Sequence, residues 1–271
     1  MSEGDSAWTP RYSMSDVTIL KIGGRAASRG ETLLDLAREI KAADGVPFVV
    51  VHGGGSELST LMERYGYTPT FVEGVRRTSE EEMPLVDMAL AGRMNSAVVR
   101  LFGKAGLNPV GLSAQDGGIV VGRPVVAADG TASRTGTPVA ADGTLLRTLL
   151  REGYNPVLSP VSRDESWEGL NINADEIALA VAKAMEARRL IFFSDIPGIL
   201  REREVLRRLT IAEAEQAIVD GTISGGMIPK VRSSLSALRD GVGSITIGEY
   251  ASPGDLEALI AGRKGTVLLH E

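Results

Sequence analysis

Short runs of β-branched and aliphatic residues recur along this 271-residue chain, and two of them stop at glycine. They are VTILKIG (17–23), PFVVVHG (47–53), NPVGLS (108–113), NPVLSPV (155–161), RLIFFSD (189–195) and SITIGE (244–249). Such runs are apolar on both faces, as strands of a parallel sheet covered on two sides must be. Between them, apolar residues fall three or four apart, the spacing of amphipathic helices. ETLLDLAREIKAAD (31–44), ADEIALAVAKAMEA (174–187) and MIPKVRSSLSALRDG (227–241) follow that pattern. So does the long stretch SEEEMPLVDMALAGRMNSAVVRLFGKAG (79–106), with Ser79 in N-cap position ahead of an acidic first turn. Alternating strands and helices predict an α/β fold, a largely parallel sheet and right-handed crossovers.

Two stretches interrupt the alternation. Residues 119–139 contain an Asp-Gly turn signal and read as a β-hairpin, and SRDESWEGLNI (162–172) as a shorter one. REREVLRR (201–208) reads as a solvated loop or helix face. The chain has no cysteine, which removes disulfides, thiolate metal sites and cysteine nucleophiles and fits a reducing, cytoplasmic setting. No apolar run reaches the length of a membrane span. The net charge of −6, with acids and bases mixed, lacks the basic stripe of a nucleic-acid binder. Residues 1–16 have no basic-then-apolar order, so they are expected to be a flexible polar tail rather than a secretory signal.

Glycines gather where strands end: KIGG (21–24), HGGG (52–55) and, ahead of a helix, SGGMIPK (224–230). In open α/β sheets ligands collect beyond the carboxyl ends of the strands. Bare backbone lets N–H groups face an anion, and a helix N-terminus adds partial positive charge. Three comparable sites favour an oxyanion or phosphate over turns alone. Lys21 and Lys230 stand beside two of them, placed to set an ammonium against phosphate. Two familiar phosphate motifs fail: Gly103-Lys104 is followed by Ala105 rather than Ser or Thr, and the dinucleotide fingerprint meets Leu58 where it needs glycine. HGGG also occurs in esterases, but no Gly-x-Ser-x-Gly elbow is present. The only histidines are His52 and His270, so His52 is read as a packing or hydrogen-bonding residue.

Taken together, KIGG, VVVHGGG, EGVRRTSEEE (73–82), VGLSAQDGG (110–118), NINADEIA (171–178), FFSDIPGIL (192–200) and SGGMIPKV (224–231) resemble, in order and spacing, the motifs of the amino acid kinase family. The resemblance spans about residues 17 to 268. It implies a three-layer α/β/α sandwich with a mainly parallel central sheet in two lobes. Residues 17–172 would bind the acceptor and dimerise, and residues 173–271 would bind ATP. It further implies phosphorylation of the side-chain carboxylate of N-acetyl-L-glutamate by ATP, with Mg²⁺ held mainly through the ATP phosphates, and a homodimer. A carboxylate acceptor is already ionised and needs no general base, which suits a site of lysines and glycine N–H groups.

By the same resemblance, Lys21 and Lys230 stabilise the transferring phosphoryl group and Asp175 holds both ammonium groups. Gly23 and Gly24 serve ATP phosphate. Gly54 and Gly55 offer N–H groups to phosphate or acceptor, Arg76 grips the substrate α-carboxylate, and Asn171 bonds the acetamido group or that carboxylate. Ser194, Asp195, Gly198, Ile199 and Leu200 border adenine and ribose, with Gly225, Gly226 and Met227 on the same nucleotide. The chain departs from the family pattern at Ser56, where proline is common, and after Lys21 in GGRAAS. The short C-terminal LEALIAGRKGTVLL (256–269) is as similar to family members that phosphorylate aminoadipate or glutamate on a carrier protein. That acceptor, and a non-catalytic amino-acid or nucleotide sensor on the same fold, stay open as alternatives.

Overall fold

The structure is a computed structural model and describes residues 16–23, 30–43, 45–72, 74–126 and 133–271. The first half runs β1 (Thr18–Ile22), α1 (Gly30–Ala42), β2 (Phe48–His52), α2 (Gly55–Arg64) and a small ribbon, β3 (Thr70–Val72) with β4 (Val75–Arg77). Helix α3 (Met83–Val86) then leads through a π-helical segment (Asp87–Met94) into α4 (Asn95–Lys104), followed by β5 (Pro109–Ser113), β6 (Val120–Pro124) and β7 (Thr135–Ala141). After α5 (Thr144–Arg151) come β8 (Asn155–Ser159), β9 (Val161–Arg163), β10 (Gly169–Ile172), α6 (Ala174–Ala184) and β11 (Arg189–Phe193). The chain closes with β12 (Leu200–Arg201), β13 (Glu204–Val205), β14 (Arg208–Thr210), α7 (Ile211–Val219), α8 (Met227–Arg239), β15 (Ile245–Gly248), α9 (Asp255–Ile260) and β16 (Thr266–Leu269).

Eight strands form one sheet in the order β14-β16-β15-β11-β1-β2-β8-β5. Every neighbouring pair is parallel except β15 with β16. Alternate side chains divide between two cores, as strand geometry requires. Ile19, Val49, Val51 and Phe192 join α6 and α8 on one face. Leu20, Ile22, Phe48, Val50 and Phe193 join α1, α4 and α9 on the other. The three-layer sandwich with a mainly parallel sheet is therefore present. A third cluster, with Leu58, Met62, Val86 and Leu90, packs α2 against α3 and the π-helical segment. Four further strands close a barrel, β10-β7-β6-β9. Leu170 and Ile172 fill its interior so closely that a Cβ on Gly122 would lie 2.7 Å from Ile172 Cδ1, and one on Gly136 would lie 2.9 Å from Leu170 Cδ1.

Several expectations need correction. Residues 79–106 are not one continuous α-helix: the turns widen over Asp87–Met94, and the helix starts at Met83. Ser79 is no cap; its N–H donates to Glu82 Oε2 at 2.7 Å in the preceding loop. Pro160 separates the expected strand 155–161 into β8 and β9, which serve different sheets. Residues 201–208 hold the β12–β13 ribbon, turned by Glu202 and Arg203 at φ 52 and 75. Both expected hairpins form, as β6 with β7 and β9 with β10. The Asp129-Gly130 turn lies outside the described residues, as do Gly24 and residues 1–15 of the expected tail. Asp16 is tied down, 2.9 Å from Arg189 and 3.2 Å from Arg188.

His52 is fully buried and braces the end of β2. Its Nδ1 lies 2.8 Å from the Gly53 carbonyl and Nε2 lies 3.1 Å from Asn95 Nδ2, so Nδ1–H donates and Nε2 accepts. Asn95 Nδ2 also donates to the carbonyl of Val157 at 2.9 Å. Burial lowers the His52 pKa from 6.5 to about 4, opposed by the Gly53 bond. Between those values the unfolded chain binds a proton here that the folded chain does not, so stability falls as pH falls through that window. The unfolding free energy should drop by about 2 kcal/mol from this residue between about pH 7 and about pH 5. Urea unfolding checks it: the same pH slope in His52→Gln would assign the effect elsewhere.

Candidate active site

β1 lies in the middle of the sheet, with Lys21 next to its end and in register with Val51 on one neighbour and Phe192 on the other. Helix α6 packs on the same face and is capped by Asn173, whose side chain accepts the Asp175 N–H at 2.9 Å. That cap fixes the first turn of α6 and directs Asp175 toward β1. Lys21 Nζ lies 2.8 Å from Asp175 Oδ1, and Lys230 Nζ on α8 lies 3.1 Å from Asp175 Oδ2. No one of the three side chains is more than 20% exposed. Burial pushes the Asp175 carboxyl up, but the two ammonium groups together more than offset it and hold it below the usual carboxylate range. Lys230 also lies 5.3 Å from the centre of the Phe192 ring. Gly23 gives Lys21 its room: a Cβ there would sit 2.3 Å from the ammonium nitrogen.

Beside Lys21 opens a cavity of about 420 Å³. Its walls include Gly53 to Ser56 at the start of α2, Arg76 on β4, and Asn171 to Ala174 between β10 and α6. Gly54 precedes the first turn of α2, under Leu90 and Met94. The helix therefore presents its N-terminal amides to the cavity wall, where an anion is favoured.

Arg76 is 8% exposed and tightly held. Its Nη2 donates to Ser59 Oγ at 2.6 Å and to the Gly55 carbonyl at 3.0 Å, its Nη1 reaches Met62 Sδ at 3.2 Å, and its guanidinium lies 4.7 Å from the Phe71 ring centre. Burial lowers its pKa and Glu82 opposes that shift. Among the described residues no carboxylate comes within ion-pair distance of it. Asn171 Nδ2 donates to Thr78 Oγ1 at 2.9 Å.

The structure thus brings Lys21, Lys230 and Asp175 into contact and sets Lys21, Gly23, Gly54, Gly55, Arg76 and Asn171 around one cavity. The other expected residues stand off this cavity. Ser194, whose N–H donates to Gly248, and Asp195 follow β11. Gly198 sits at φ 153, where a Cβ would meet Thr266 and Val205 at 2.8 Å. Ile199 donates its N–H to Thr266 Oγ1 at 2.8 Å, and Leu200 opens the β12–β13 ribbon. Gly225, at φ 55, and Gly226 lead into α8, which Met227 opens one turn ahead of Lys230. Sequence reasoning missed Asn173, Ser59 and Thr78. Asn173, two residues before an acid at a helix start, carried a readable capping signal; Ser59 and Thr78 gain meaning only through partners distant in sequence.

The sequence pattern of the amino acid kinase family matches residues 16–249, and the chain belongs to that family. It is 37% identical over 86% of its length to an acetylglutamate kinase of Halalkalibacterium halodurans, covering 89% of that protein. It is 38% identical to an acetylglutamate kinase of Roseiflexus sp. (strain RS-1), covering 93% of each. A carbamate kinase from Giardia lamblia bound to AMP-PNP shares the fold, with a TM-score of 0.69 at 15% identity over 95% of this chain and 99% of that one.

The crowding around Gly54 separates it from its neighbour. A Cβ on Gly54 would lie 2.7 Å from Leu90 Cδ2 and 3.1 Å from Met94 Cγ, whereas one on Gly55 meets nothing within 4 Å. Gly54→Ala should cost about 1–3 kcal/mol through overpacking, and Gly55→Ala should leave stability within about 0.5 kcal/mol of the parent. Denaturant unfolding of the two variants checks the difference; equal costs would mean that the Leu90 contact does not constrain the loop.

Proposed function

We propose that this chain transfers the γ-phosphoryl group of ATP to the side-chain carboxylate of N-acetyl-L-glutamate, giving N-acetylglutamyl 5-phosphate, a step of arginine biosynthesis. The observation that carries the reading is the pair of ammonium groups, Lys21 and Lys230, joined by one carboxylate at the edge of a cavity that also holds Arg76. Family membership and the named relatives support it.

In this reaction a carboxylate oxygen of the acceptor bonds to the γ-phosphorus while the bond to the bridging oxygen breaks and ADP leaves with that electron pair. The acceptor is ionised at neutral pH, so no residue has to remove a proton. The barrier is lowered by alignment and by neutralising charge on the phosphoryl oxygens. Lys21 and Lys230 would approach that charge from two sides, and Asp175 would keep them convergent. Amides of Gly54 and Gly55 would face the acceptor carboxylate or phosphate. Arg76 would pair with the substrate α-carboxylate, for which its guanidinium has no rival acid at ion-pair distance among the described residues. Asn171 would bond the acetamido group or that carboxylate.

Residues 173–271 would form the nucleotide lobe and residues 17–172 the acceptor and dimerisation lobe. Gly23, Ser194, Asp195, Gly198 to Leu200 and Gly225 to Met227 would border ATP. The donor set of ammonium and N–H groups fits a polyphosphate. Among the described residues no cluster of acids or histidine is arranged to hold a metal; Mg²⁺ would ride on the phosphates and supply further charge neutralisation. We place the protein in the cytoplasm as a homodimer.

A coupled ADP-release assay with ATP, Mg²⁺ and N-acetyl-L-glutamate tests the reaction, and the same assay with a carrier-bound glutamate tests the other acceptor. Lys21→Ala should lower kcat by about a hundredfold or more while ATP still binds. Turnover close to the parent's would remove Lys21 from the chemistry.

A further inference from the structure

The acceptor cavity depends on two side chains that come from opposite directions: Arg76 on the β3–β4 ribbon and Asn171 on a barrel strand. One hydrogen-bonded joint connects them. Thr135 Oγ1 donates to the Arg76 carbonyl at 2.8 Å and accepts the Thr78 N–H at 3.0 Å. Thr78 Oγ1 accepts from Asn171 Nδ2 at 2.9 Å. The Thr78 carbonyl accepts the Arg134 N–H at 2.7 Å, and the Asn171 N–H reaches the Arg134 carbonyl at 2.8 Å. Thr78 and Thr135 are 1% and 3% exposed, so solvent cannot readily substitute for a lost partner.

We infer that Thr78 and Thr135 are positioning residues for the acceptor: they lock the ribbon that carries Arg76 to the barrel strand that carries Asn171, and so fix the spacing of the two groups that hold the substrate. Neither lines the cavity, so neither touches substrate. The joint is specific in its chemistry. Thr135 uses its hydroxyl both as donor and as acceptor, and Thr78 supplies an acceptor at the place where Asn171 would otherwise turn freely. Neither Lys21, Lys230 nor the segments after β11 take part in it, so its loss should be felt at the acceptor and not at the nucleotide. This inference rests on the reading of the cavity as the acceptor site.

The test uses Thr78→Val, which keeps the shape and removes the acceptor, beside Thr78→Ser, which keeps the hydroxyl. In the full-length enzyme, Thr78→Val should raise KM for N-acetyl-L-glutamate about tenfold or more, with KM for ATP and kcat within about threefold, and Thr78→Ser should restore most of the affinity. A parallel rise in KM for ATP, or equal defects in the two variants, would reduce Thr78 to a structural residue. A crystal structure of Thr78→Val reads the joint without reference to any substrate: Asn171 should leave its present orientation, and an unmoved Asn171 overturns the inference. If the parent enzyme leaves N-acetyl-L-glutamate unphosphorylated, the functional reading fails while the structural readout still decides the joint.

Discussion

A carboxylate held between two ammonium groups organises this molecule. Asp175 alone, at the start of α6 and largely enclosed, would pay heavily for its charge; Lys21 and Lys230 alone, brought this close, would repel each other. Joined, each offsets the cost of the others, and the carboxyl titrates below its usual range in spite of burial. The arrangement leaves a net positive charge at the end of the sheet's middle strands. It also explains why segments so distant in sequence must meet. β1 is central, α6 packs across it, and α8 packs in the same core, so the three charged side chains are delivered by three elements that share one buried apolar face.

The two halves of the problem were unequally legible. Strands of the central sheet were readable because a strand buried on both sides is apolar at nearly every position. β1, β2, β5, β8, β11 and β15 all lie within the runs read from the sequence. β14 and β16 were not: β14 is a three-residue edge strand, and β16 is a four-residue strand just inside it. The helix over 79–106 was half legible: its apolar face continues, but no periodicity argument distinguishes a π-helical turn from an α-helical one. The widening coincides with the Asn95 brace, where Gly111 leaves space for the amide that a Cβ would contest at 2.2 Å. The charged triad was proposed from glycine positions and family likeness, and its three side chains lie in contact. The hydrogen-bond partners of Arg76 and Asn171 could not be read, because Ser59, Thr78 and Thr135 are ordinary residues until the fold assembles them.

Glycine serves three distinct physical ends here. At Gly23 it clears a path for an ammonium group, and at Gly54 it lets a loop pass beneath Leu90 and Met94. In the barrel, Gly122 and Gly136 admit Leu170 and Ile172 into an interior that four strands leave very narrow. Bare backbone at the strand ends therefore has a mixed origin. Part of it is room for the Lys21 ammonium group, and part is plain packing, with the same residue type meeting both needs at one end of the sheet.

The barrel gives the cavity beside Lys21 a wall that the central sheet cannot. Lys21 is fixed by β1, deep in the sheet, while Arg76 rides on a two-stranded ribbon whose β3 is wholly exposed. A ribbon of that size has little stability of its own. In the proposed role Arg76 needs a defined position, because a bidentate grip on a carboxylate tolerates little displacement. The structure meets this by fastening the ribbon at two points, through Arg76 to Ser59 and Gly55 on α2 and through Thr78 to the barrel. One cation is therefore set by the sheet and the other by a borrowed scaffold. On the proposed reading, a molecule bearing a carboxylate at each end would meet both cations.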